Sequence, residues 1–203
     1  YMQSETKERE TYRMIGNFYI DIKPMKGMSI KSTFAPNFTF YREGDFYTSV
    51  DSPTDPNTAT YESKRSLSYT WDNIINYAAK FGGMHSINLM GLYSMTYGNN
   101  EKSKLIANGV MDGSEWYNLG SGTINTESDD YEPSSFSESS MISYALRANY
   151  TLMDKYMLTA TLRADGSSKF AKDNRWGTFP SVAFAWRASE EEFMKADWLS
   201  NLK

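Results

Sequence analysis

From residue 156 the chain reads Tyr156-Met157-Leu158-Thr159-Ala160-Thr161-Leu162-Arg163-Ala164-Asp165-Gly166-Ser167-Ser168-Lys169-Phe170. It resumes as Asn174-Arg175-Trp176-Gly177-Thr178-Phe179-Pro180-Ser181-Val182-Ala183-Phe184-Ala185-Trp186-Arg187. Apolar residues occupy the even positions, and polar or small ones mostly the odd. Such alternation marks strands whose two faces meet different surroundings. The apolar row is clean enough to point to lipid rather than to a folded core.

Five further segments carry the same pattern. In 11–23 the apolar row is Tyr12, Met14, Phe18, Ile20 and Ile22. In 28–41 it is Met28, Ile30, Phe34, Pro36, Phe38 and Phe40, broken by Ser32. In 66–81 it is Leu67, Tyr69, Trp71, Ile75, Tyr77, Ala79 and Phe81, broken by Asn73. In 86–97 it is Ile87, Leu89, Tyr93, Met95 and Tyr97, blurred by Met90 and Leu92. In 142–152 it is Ile142, Tyr144, Leu146, Ala148, Tyr150 and Leu152. Strands at 156–165 and 176–188 complete a set of seven.

Charge supplies an independent check. Arg13, Asp21, Lys23, Lys31, Asp72, Lys80, Arg147, Arg163, Asp165 and Arg187 all fall on the row opposite the apolar one. The connections alternate in length. Pro24–Gly27, Gly82-Gly83 and Met153–Lys155 are tight, whereas 42–61, 98–140 and 166–175 are long and polar. Short turns alternating with long loops are the rhythm of an outer-membrane barrel, with the long loops outside the cell. Aromatics near strand ends (Tyr12, Phe40, Trp71, Tyr97, Tyr144, Tyr156, Trp176, Trp186) fit interfacial girdles. Two features resist the pattern. Pro36 and Pro180 each remove a ladder donor, which predicts a bulge or an irregular strand start. The segment 189–198 is long for the short-turn side. Its Ser189-Glu190-Glu191-Glu192 reads as an N-cap with acidic first-turn residues, predicting a short helix.

Composition narrows the function. The chain has 203 residues and no cysteine, so neither a disulfide framework nor a thiolate metal site is available. Net charge is -4 and the pI is about 5.1, which argues against nucleic acid as a partner. No apolar run is long enough for a membrane-spanning helix, a test that strands escape because they alternate. The opening Tyr1-Met2-Gln3-Ser4-Glu5 lacks the basic and apolar regions of a signal peptide. With a further strand starting at Asn201-Leu202-Lys203, the chain is expected to be a piece of a longer polypeptide.

The run from 156 to 203 resembles the SusC/RagA family of TonB-linked outer-membrane transporters. The resemblance is carried by Tyr156–Arg163, Asp165–Phe170, Asn174–Ser181, Ala185-Trp186-Arg187, Ser189–Phe193 and Leu199–Lys203. Upstream, Trp71-Asp72-Asn73, Phe81-Gly82-Gly83 and His85-Ser86-Ile87 look like the family's preceding hairpin. The resemblance implies an all-β, antiparallel transmembrane barrel of about 22 strands, filled by a plug domain. It implies a SusD-type surface lipoprotein as partner, and import of a glycan or oligopeptide driven through TonB. This chain would supply about seven strands and the start of an eighth, as part of a TonB-dependent receptor barrel domain. The plug, the TonB-contacting segment and the C-terminal strands would lie elsewhere. Seven such strands cannot enclose a plug, and bare strand edges in hydrocarbon are prohibitively costly.

Candidate sites follow. Wall charges on the polar row (Arg13, Arg147, Arg163, Arg187, Asp21, Asp72, Asp165) are expected mostly to pair with the plug or with each other. Trp116, Tyr117, Asn118 and Tyr131 in the 98–140 segment are the candidate substrate-binding residues. Rings stack on apolar sugar faces and amides satisfy hydroxyls, with loop packing or a lipoprotein contact as the plainer reading. Asp51, Asp55, Asp129, Asp130 and Glu132 offer oxygens for calcium, but they lack EF-hand spacing and read as solvated acids, so no cofactor is expected. His85 lies by a turn at the wrong end for catalysis. Ser94 and Ser143 are ordinary strand serines, and no GxSxG or HExxH motif is present, so no enzyme is expected. A non-transporting receptor or adhesin barrel and a soluble β-sandwich are the competing readings.

Overall fold

The computed structural model describes residues 5–48 and 56–194. All nine strands join one antiparallel sheet. They are β1 (Glu5–Ile15), β2 (Phe18–Ile22), β3 (Met28–Tyr47), β4 (Thr58–Phe81), β5 (His85–Asn108), β6 (Thr123–Ile124), β7 (Glu132–Leu152), β8 (Tyr156–Ser167) and β9 (Trp176–Trp186). The sheet path is β1-β3-β4-β5-β7-β8-β9, with β2 also on β3 and β6 on β5. Seven positions along that path match the seven expected strands. The sheet does not close on itself among the described residues. The expected eighth strand, and Leu199–Lys203 with it, lie outside them.

The register confirms the row assignment. Leu146 faces Leu162, Tyr150 faces Leu158, and Ala160 faces Val182. On the other row Arg147 faces Thr161 and Ser143 faces Asp165. The apolar row is the exposed one: Leu146 is 65% and Val182 73% exposed. Along β8 the residues from Tyr156 to Leu162 alternate between exposed apolar and half-buried polar or Met positions. This is the reverse of a soluble sheet, and it is the alternation of a lipid-facing barrel wall. Arg147 is exposed and its Nε donates to Thr161 (3.2 Å). Arg163 is held by Asp165 (2.7 Å) and Ser143 (3.2 Å).

Contacts divide the chain into two units. The unit of 17–35, 70–97 and 139–203 contains the charge-free row. An aromatic ladder crosses it: Trp71 to Tyr93 (5.9 Å), Tyr93 to Tyr144 (5.5 Å) and Tyr144 to Trp176 (6.0 Å between ring centroids). A second aromatic line sits at the short turns, with Phe81 stacked on His85 (5.0 Å) and Tyr156 opposite Trp186. His85 also bonds the Tyr150 hydroxyl (2.6 Å). On β4 (Trp71 to Phe81) and on β9 (Trp176 to Trp186) the two lines stand ten residues apart. Ten residues rise about 33 Å, or about 24 Å along the normal at a typical barrel tilt, the height of an outer-membrane apolar band. Ser32, the polar break in the row, is capped by the Trp71 indole N–H (3.0 Å). Gly27 makes a turn possible: its φ is +83°, its carbonyl accepts from Ala78 N (2.7 Å), and a Cβ would stand 2.1 Å from the Ala78 oxygen.

The unit of 1–16, 36–69 and 98–138 is built differently. There, charges occupy both rows. Arg42 pairs with Glu8 (2.9 Å) and Glu10 (3.0 Å) on the row shared with Tyr12, Met14, Phe38 and Phe40. Arg65 meets Glu101 (3.6 Å) on the row of Leu67 and Tyr69. Segments with paired charge on both faces lie in water. The expected loops 42–61 and 98–140 are therefore corrected: strands occupy 42–47, 58–61, 98–108 and 132–140. Cross-strand ion pairs sustain these ladders where no apolar face exists to do so.

The prolines behave in two ways. Gly16 N donates to the Pro36 carbonyl (2.9 Å), but Pro36 has no N–H to return. The strand breaks there into β1 and β2. Ile15 pairs with Asn37 and Phe18 with Phe34, so the register is conserved and no residue is inserted. The expected bulge or irregular strand start is absent from β3, which runs unbroken through Pro36, and the disturbance is a gap in the partner strand. Pro180 leaves β9 continuous. Odd residues exchange the β8–β9 bonds (Ser167 N to Arg175 O, Arg187 N to Lys155 O), so the even-numbered Pro180 turns its nitrogen to the other edge. The expected helix at 189–198 is also corrected. Two 3-10 turns, Ala188–Glu190 and Glu192–Met194, flank an extended Glu191 (φ -80°, ψ 143°), and 195–198 lie outside the described residues.

Candidate functional site

Trp116 is 7% exposed. Its ring lies on Gly44, where a Cβ would come 2.0 Å from the indole, and it stacks on Tyr61 at 5.9 Å. The Arg42 guanidinium sits 4.9 Å from its centroid. Phe46, Ala59, Ala107 and Val110 complete the cluster, with Leu119 packed against it. Asn57 pins the loop by donating to the Val110 carbonyl (3.0 Å) and to Asp112 (2.6 Å). The Trp116 ring is thus engaged in loop packing, the plainer of its two expected roles.

Tyr117 is 67% exposed and meets Trp116 edge-on (5.5 Å). Asn118 is exposed, and its carbonyl accepts from Ser121 N (3.1 Å) and Oγ (2.9 Å). Tyr131 is half-buried immediately before β7. Among the described residues no ring contact joins it to Trp116 or Tyr117. Of the acids considered for calcium, Asp130 pairs with Lys104 (3.2 Å) and Glu132 with Lys102 (2.5 Å), while Asp51 and Asp55 lie outside the described residues. No group of three or more potential metal ligands occurs among the described residues.

The more connected arrangement lies on the polar row of the same unit. Glu43 receives Arg9 (2.7 Å to Nε) and Lys7 (3.2 Å), and Tyr41 donates its hydroxyl to the same carboxylate. Lys64 lies 5.0 Å from the Tyr41 ring centroid and pairs with Glu62 (2.7 Å). Lys102 extends the chain of charges to Glu132. Beside it, Thr11, Thr39, Tyr41, Lys64, Ser66 and Asn100 line a hollow of about 350 Å³. Hydroxyls, an amide and neutralised ammonium groups suit a polar, hydrogen-bonding ligand. Thr11, Thr39, Tyr41 and Ser66 lie on the polar rows of the expected strands, whereas Lys7, Arg9, Glu43, Lys64, Asn100 and Lys102 fall in strand extensions whose charge on both rows hides the alternation.

The Tyr41 hydroxyl, with Arg9 and Lys7, holds the Glu43 carboxyl down to about 2 from an ordinary 4.5. A depressed carboxylate contributes stability above its unfolded pKa, and that contribution is lost as pH falls through the folded value. Acidification from pH 4.5 toward 2 should therefore loosen the β1–β3 pairing. Glu43→Gln should flatten that part of the profile. Hydrogen exchange of β1 amides across this window checks it, and identical exchange in both proteins at each pH would refute the assignment.

Residues 13–199 match the family model described as TonB dependent receptor-like, beta-barrel. The chain belongs to this family. It is a SusC/RagA-type barrel segment. The TonB-dependent receptor P26 of Formosa agariphila is 33% identical over 193 residues, covering 92% of this chain and 19% of that protein. The TonB-dependent receptor SusC of Bacteroides thetaiotaomicron is 55% identical over 64 residues, 31% of this chain and 6% of its own length. The solved structure entitled "Structure of the RagAB peptide transporter" superposes with a TM-score of 0.84 at 19% identity, over 98% of this chain and 22% of that one. The chain thus spans about a fifth of the length of the relatives that match along it.

Proposed function

We propose that this chain is barrel wall of an outer-membrane TonB-dependent importer of a large polar nutrient. The observation that carries the reading is the charge-free row bounded by two aromatic lines about 24 Å apart. Family membership and the likeness to SusC and to a peptide transporter support it. The doubly charged strand extensions of the second unit, with the Thr39, Tyr41, Ser66 and Asn100 hollow, form part of the outer vestibule that cargo meets. A SusD-type lipoprotein is the partner on that side. A plug domain fills the lumen, and TonB supplies the energy. The cargo class is glycan or oligopeptide. The relatives bear the names of receptors and transporters, which fits a protein without catalytic turnover.

The test uses cells carrying the full-length protein. Labelled oligosaccharides and oligopeptides are offered with and without an uncoupler that collapses the inner-membrane proton gradient. Import of one class that stops with the uncoupler is expected. Surface binding without uptake would replace the importer by a receptor barrel. Ser66→Ala with Asn100→Ala should lower import several-fold while leaving the amount of folded barrel unchanged.

A further inference from the structure

The return segment after β9 is unexplained by transport or by barrel geometry. It is longer than its companion turns, and its geometry assigns it a partner. Glu191 accepts from Lys155 Nζ (2.8 Å), the Tyr156 hydroxyl (2.7 Å) and the Trp186 indole N–H (3.3 Å). Tyr156 and Trp186 stand opposite each other on the apolar row, beside Leu158 and Phe184. A carboxylate reached by both rings lies on their side of the sheet, not on the polar side. The segment therefore folds toward lipid at the short-turn edge of the band. Its start is fixed by Arg187 N on the Lys155 carbonyl (2.8 Å) and by the buried Ala188. Two residues past the tether, Phe193 is 75% exposed, with exposed Glu190 and Glu192 nearby.

We propose that residues 188–194 are a membrane-interface anchor, with Phe193 lodged in the phospholipid headgroup–acyl boundary. The occupant follows from continuity: the exposed ring adjoins the row already read as lipid-facing. Tyr and Trp prefer this zone because their rings are apolar and their polar tips need partners. Here Glu191 provides those partners and ties the turn to the belt. The exposed acids limit the depth to the boundary. The inference rests on the outer-membrane reading.

This chain lacks cysteine, so single cysteines placed in it can be spin-labelled in phospholipid vesicles, using the full-length protein with any cysteine outside this segment replaced by serine. Phe193→Cys, Glu190→Cys and Val182→Cys are compared by collision with oxygen, which concentrates in lipid, and with a water-soluble nickel chelate. Heat-modified gel mobility verifies folding of each. Val182 is expected to favour oxygen strongly and Glu190 the chelate. Phe193 should favour oxygen several-fold over Glu190, at a shallower depth than Val182. A label at 193 matching that at 190 overturns the anchor alone. A label shielded from both reagents also overturns it, showing protein over the ring. If Val182 itself meets the chelate, the outer-membrane reading falls and the anchor with it.

Discussion

Replacing Leu146 by arginine is expected to remove about 1–3 kcal/mol of barrel stability, the cost of a cation on the lipid face between an aromatic line and the bilayer midplane. Leu146 sits between the two aromatic lines, opposite Leu162 and against Gly91, on a row with no charge between those lines. The adjacent position is already arginine, and Arg147 is accommodated because it points to the other side. One residue of displacement separates a native cation from a disruptive one. Equilibrium unfolding of the full-length protein from phospholipid vesicles checks this. A loss below about 0.5 kcal/mol, the range of neutral surface changes, would show that this face is not in hydrocarbon.

Trp116→Ala should be costlier still, about 3–5 kcal/mol by analogy with other large-to-small core changes. The loss should be local, because the ring joins the 109–122 segment to Gly44, Tyr61 and Arg42 and reaches nothing in the apolar band. Cleavage of that segment by protease should quicken by at least tenfold, while the aromatic lines keep their fluorescence. Gly44→Val should act the same way from the opposite side, since its side chain would occupy the space of the indole. Tyr117→Ala, with its ring in solvent, should change cleavage little. Equal sensitivity of the 116 and 117 variants would contradict the packing described.

The band was legible in sequence for a simple reason. Lipid tolerates no unpaired charge, so the row of Leu146, Leu162 and Val182 carries none between the aromatic lines, while Arg147 and Arg163 take the opposite row. Beyond the band that pressure vanishes. Glu8, Glu10 and Arg42 share a row with Phe40, and Arg65 and Glu101 share one with Leu67, so alternation of character disappears although alternation of direction persists. Strands held by ion pairs therefore read as loops. Pro36 was legible as a disturbance, but its form depended on which neighbour its nitrogen faced. Glu191 misled because an acidic run after serine also starts helices; only Lys155, Tyr156 and Trp186, distant in sequence, draw it into an extended turn. Trp116 was legible as important. Its burial was not, because Gly44 and Tyr61 are far along the chain.

Pro180 has a consequence for assembly. Its ring faces the margin of β9 that has no neighbour among the described residues, leaving a missing rung on that margin. A stray strand arriving there, whether from a second copy or a misfolded segment, would forfeit a hydrogen bond at that rung and gain little from sliding along. The strand evolved to close beside it meets the same notch in fixed register. A single ring closure thus guards the seam against promiscuous zippering while the wall awaits completion.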